Sequence, residues 1–131
     1  DIELHWRSFL KARRILASDR VAVIHVMHEA GSRLTNRSGP ERLKVFGPLE
    51  RIAAEIEGAP DKAALYALPF CRFAIGLFDW ISGNLQPALQ AGFADQVQVF
   101  LNAHIPAPLQ DEITRTDPAL MGRVLDRLKG W

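Results

Sequence analysis

The chain has 131 residues, 48% of them hydrophobic and 24% charged, with a mean hydropathy of −0.02 and a net charge of +1. That composition supplies one core for one domain spanning residues 1–131, and it excludes a disordered chain. One cysteine, Cys71, excludes an internal disulfide, and with only four histidines beside it there is no cysteine-rich structural zinc site. A reducing, cytoplasmic compartment is the expectation that follows. The first residue is Asp1 rather than Met, so we expect a processed chain or a domain excised from a longer one.

Charge is uneven along the chain. Residues 1–51 carry ten basic and six acidic groups, and residues 52–131 carry six basic and nine acidic. The N-terminal excess is too sparse for a DNA-binding footprint, so nucleic acid is not an expected partner.

Periodicity reads as helix nearly throughout. From Ile2 to about Ala17, Ile2, Trp6, Phe9, Leu10 and Leu16 fall near one face, while Arg7, Lys11 and Arg14 form a basic stripe on another. Ser18 or Asp19 suits the cap of a second helix built on Val23, Met27, Ala30 and Leu34. The β-branched run Val21 to Met27 would pass locally for a strand. Its nearest partner, Val97 to Leu101, belongs to the helical series Phe93, Val97, Phe100, Leu101 and His104, so no β-sheet is expected.

Thr35 to Pro40 is a polar connection, after which Pro40 or Glu41 opens a helix. Phe46-Gly47-Pro48 suggests two short helices with a bend, Gly47 stopping the first in a left-handed conformation and the second running to Glu57. Gly58-Ala59-Pro60 closes it, and Asp61 is the expected cap of a long helix. Ala63 to Ile81 is apolar almost all round and should be central, with Phe73, Leu77 and Trp80 inside and a kink or break at Pro69. Arg72 and Asp79 within it argue against a membrane span. Ser82-Gly83-Asn84 ends this helix. The next, with Pro87 near its start and Gly92 inside, leads to His104. Pro106 and Pro108 force a connection, Leu109 to Arg115 forms a short helix, and Asp111 and Glu112 read as its first-turn acids. Asp117 caps a last helix, with Pro118 at its first position and Leu120, Val124 and Leu128 on its apolar face. The expected fold is all-α: a compact bundle or orthogonal array of five to seven helices around a central, apolar, Pro-kinked helix.

Three constellations are candidate sites. His25 and His28, three apart on a helix, put two imidazoles on one face, the minimum grip on a transition metal or haem; a site needs a third ligand, for which His5 and His104 are candidates. More often such histidines are hydrogen-bonded structural groups. Arg72, Gly76 and Asp79 share a face of the central helix at spacings of four and three, a notch between opposite charges that would admit a carboxylate, a backbone or a small ligand. The plainer reading is a buried or interfacial ion pair that fixes helix packing. The stripe Arg7, Lys11 and Arg14 would contact phosphates or an acidic partner, or line a solvated face.

No nucleophile elbow, phosphate loop, dinucleotide fingerprint or paired cysteine occurs. Cys71 beside Phe70 and Phe73 reads as a small apolar core residue. The expected function is therefore a non-enzymatic helical protein-interaction or regulatory module, with a protein as the expected partner and a small molecule as a possible ligand. The alternative is a small-molecule, metal or haem binding domain using His25 and His28. The sequence specifies no cofactor.

Overall fold

A computed structural model describes residues 2–20 and 38–130. Among these residues there are six α-helices and one 3₁₀ segment, and no strand: α1 Ile2–Lys11, the 3₁₀ turn Pro40–Val45, α2 Phe46–Glu57, α3 Pro60–Asn84, α4 Pro87–His104, α5 Ala107–Thr116 and α6 Pro118–Lys129. The all-α reading holds. The expected second helix, with His25 and His28, lies outside the described residues.

α3 is the hub. It packs against α2, α4, α5 and α6, and α1 reaches it through the edge-to-face contact of Trp6 with Phe70 and through the Tyr66 hydroxyl, which donates to the Phe9 carbonyl at 3.3 Å. The buried face of α3 is Phe70, Cys71, Ala74, Ile75, Phe78 and Ile81. Phe78 meets the rings of Phe46, Phe93 and Phe100, so α2, α3 and α4 share one aromatic centre. All buried side chains among the described residues are apolar, and none leaves a polar atom unpaired.

Several local expectations are corrected. Phe73 and Leu77 flank the core rather than fill it, and Trp80 is 42% exposed with the Arg42 guanidinium over its ring at 4.6 Å. Only one face of α3 is fully buried, so an all-round apolar sequence overstates what is inside. The helix is continuous through Pro69, so of the two alternatives there the break is excluded. Pro69 leaves the Leu65 carbonyl without its helical donor, and both residues lie exposed, where water replaces that bond. α1 stops at Lys11, not near Ala17, leaving Arg14 beyond the helix and Leu16 92% exposed. Gly47 lies inside α2 with ordinary negative φ, so the expected bend is instead a change from 3₁₀ to α winding at Phe46. Ala59, not Asp61, is the N-cap of α3, with Pro60 at the first position. Asp111 and Glu112 lie beyond the first turn of α5, which starts at Ala107.

The expected end of α4 at His104 and start of α6 at Pro118 are as read. Asp117 caps α6, its carboxylate accepting from the Leu120 amide at 3.0 Å, and Leu120 and Val124 are buried. By length and composition alone α3 would also suffice to cross a membrane, and about a third of its apolar window is buried.

Candidate functional site: an apolar cleft along α3

The N-terminal half of α3 carries its small residues, Ala63, Ala67, Cys71 and Ala74, at helical spacings of four, four and three. Alanine and cysteine cannot reach far from the helix axis. Across from them stand α2, the C-terminal end of α4 and the start of α5, and the gap that remains is a half-enclosed cleft of about 300 Å³. Its deeper surface is Ile56, Phe70, Phe100, Leu101 and Ile105, and Ala64, Pro106, Pro108 and Leu109 complete the wall.

The far wall is held in place by the connection between α4 and α5. The Ile105 amide closes α4 on the Leu101 carbonyl at 2.9 Å, and Pro106 then caps α5, its carbonyl accepting from the Leu109 and Gln110 amides. The Gln110 side chain donates back to the Ile105 carbonyl at 2.9 Å. Two prolines and this back-bond leave the linker little freedom to collapse inward.

Three ionisable side chains join the lining: Glu57 at the end of α2, His104 at the end of α4 and Glu112 on α5. His104 Nδ1 is 2.8 Å from Glu57 Oε1, and the imidazole lies against Phe100, ring centres 4.7 Å apart. Glu57 keeps its second oxygen toward solvent, being 49% exposed. Among the described residues no lysine or arginine joins the lining. The Cys71 thiol in the wall is pushed up to about 12 by burial, so it is a neutral surface there rather than a nucleophile.

The sequence-derived candidates lie elsewhere. Arg72 and Asp79 do not pair with each other. Arg72 donates to Asp117 through Nε at 3.2 Å and Nη2 at 2.8 Å, and Asp79 accepts from Arg123 Nε at 3.0 Å and from Arg127 Nε at 2.8 Å. Both therefore tie α3 to α6 or to its cap, in keeping with an interface role. Hydrogen bonds from the Leu120 amide and then from Arg72 hold the Asp117 carboxyl below the usual carboxylate range. Gly76, between them, is exposed, and a Cβ there would meet nothing within 4 Å. Arg7 pairs with Glu3 at 3.2 Å and approaches Glu55, so it joins α1 to α2, whereas Lys11 and Arg14 are exposed. No cluster of three metal-binding side chains occurs among the described residues, and of the proposed third ligands His104 is engaged with Glu57.

Sequence reasoning passed over Glu57 and the alanines. The available signal was the row of small residues Ala63, Ala67, Cys71 and Ala74, which marks the side of an apolar helix where something else has room. A second, more open hollow lies on α1 and α3 between Ile2, His5, Trp6, Phe9 and Phe73. Comparison with protein-family models, with curated proteins and with solved structures finds no match.

Proposed function

We propose that this chain is a non-enzymatic binding module whose cleft along α3 takes a small, largely apolar molecule. The observation that carries this is the cleft itself: about 300 Å³ of space with apolar walls and a few polar groups joining them. Ligand sites have that character and begin near that size, and an apolar hollow of roughly half the volume already accommodates benzene. A ligand of two rings or about eight carbons is the scale that follows. Among the described residues the lining offers no activated nucleophile: the Cys71 thiol is neutral, and the His104 imidazole is turned to a carboxylate rather than to a hydroxyl or thiol. That supports binding over catalysis.

The protein-interaction reading keeps separate support from α1. Leu4 and Phe9 are exposed there, at 63% and 45%, beside the hollow formed with Phe73 and the exposed cation Lys11. An apolar patch with a cationic edge suits an acidic amphipathic segment of a partner. α3 we assign to the core of this module rather than to lipid, because Arg72 and Asp79 are both engaged with the α6 side of the bundle.

Thermal denaturation with 1-octanol or indole tests the ligand reading. A neutral apolar solute that enters the cleft raises the midpoint, by up to a few degrees at saturating concentration. Ala67→Phe, which fills the cleft, abolishes the rise while leaving helical circular dichroism unchanged. No rise in the wild type with either solute contradicts the reading.

A further inference from the structure

We infer that the cleft selects an amphiphilic amine, an apolar body of about eight carbons ending in an ammonium group. This rests on the proposed ligand reading and specifies its chemistry.

Among the described residues Glu57 and Glu112 are the two carboxylates of the lining, and no described lysine or arginine shares the cleft with them. Four acidic residues elsewhere on this surface are paired. Glu3 meets Arg7 and Arg51, Glu55 meets Lys62, Asp79 meets Arg123 and Arg127, and Asp117 meets Arg72. At the cleft the Glu112 carboxylate meets no cation among the described residues, and Glu57 meets only the His104 imidazole through one oxygen. A cation beside these two carboxylates is what an occupant would bring.

Geometry and charge point to the same occupant. The apolar walls accept a hydrocarbon body, and an ammonium group brings three donors to carboxylate oxygens that the protein leaves open. A fatty acid of the same length would fit the walls and set its carboxylate beside two others, a like-charge placement that weakens binding. An alcohol of that length would gain the apolar contact without the charge-assisted bonds.

The test is titration calorimetry of the full chain with octylamine, 1-octanol and octanoate near neutral pH and low salt, each below its aggregation limit. Octylamine should bind about tenfold or more tighter than 1-octanol, the scale of a hydrogen bond to a charged group, and octanoate should bind most weakly. Glu112→Gln, an isosteric change on a partly exposed helix position, should erase most of the amine advantage and leave the alcohol's affinity unchanged. Added salt should narrow the gap as well. If 1-octanol binds and octylamine binds no better, the amine inference fails while the ligand reading stands. If none of the three binds, both fail. An amine advantage that survives Glu112→Gln and Glu57→Gln together also overturns the inference, because the preference then has another source.

Discussion

The two halves of α3 are built to opposite ends. Toward its C-terminus the helix presents Ile75, Phe78 and Ile81 to a closed core, and Asp79 ties the same stretch to Arg123 and Arg127 of α6. Toward its N-terminus it presents Ala63, Ala67 and Cys71 to a cleft. Both stretches are apolar in sequence, and the difference between them is side-chain length. Where the side chains are long they meet their neighbours and exclude space; where they are short, and the α4–α5 linker is stiffened by Pro106 and Pro108, space remains. One helix thus serves as the keystone of the fold at one end and as the wall of a site at the other.

The sharpest break of this comparison is truncation at the filled end. Phe78 is fully buried at 0% exposure among three other phenylalanine rings, so Phe78→Ala should destabilise by about 3–5 kcal/mol in a denaturant melt. The opposite change at the hollow end, Ala67→Leu, should alter stability by less than about 1 kcal/mol, since the added methyl groups enter space rather than neighbours. A large loss for Ala67→Leu would mean that the wall is packed.

Asp79→Ala should cost about 1 kcal/mol. The side chains of Asp79, Arg123 and Arg127 are 28%, 44% and 24% exposed, and Arg72 is 57% exposed, so these are surface-linked pairs and not the buried pair whose disruption costs several times more. A double-mutant cycle between Asp79 and Arg127 measures the coupling. Gly76→Ala should go the other way, stabilising by about 0.5–1 kcal/mol, because the helix gains propensity and the new methyl meets open space.

The smallest effect is with pH. The Asp117 carboxyl is held below its usual value of 3.8 in the folded state, so its contribution to stability is present above that value and disappears as pH falls through the lower folded one. Asp117→Asn should therefore flatten the acid limb of the stability profile below about pH 4, with little change in slope between pH 5 and 7. An unchanged acid limb would show that the cap and the Arg72 pair carry no linkage.

Much of this architecture is legible in the sequence wherever backbone chemistry decides it. Asp117-Pro118 announces α6 because only that pairing supplies both a cap acceptor and a residue that needs no amide partner. Pro87 and the series to His104 announce α4 in the same way. The end of α1 is less legible: hydrophobic spacing continues through Ile15 and Leu16, but those residues find no neighbour to cover them and stay exposed, and periodicity records a face without recording whether anything packs there. Arg72 and Asp79 were identifiable as partners to something, yet their spacing on one helix suggests each other, and the nearer guanidinium and carboxylate groups come from α6 and its cap. The cleft was hidden for a related reason. Alanines in an apolar run look like core filler until the position of α5 is known, and that position depends on the Gln110 back-bond and two prolines more than thirty residues away in sequence.

The most direct measurement is a methyl NMR titration of the full chain with 1-octanol, following alanine, isoleucine, leucine and valine methyl groups. A hollow end beside a filled end requires the methyl signals of Ala67, Ile56, Leu101 and Ile105 to shift saturably while those of Ile75, Ile81 and Val124 stay within noise. Equal shifts along both halves of α3, or no shift at Ala67 and Ile105 at any concentration below the solubility limit, would contradict the assignment of the cleft as a binding site.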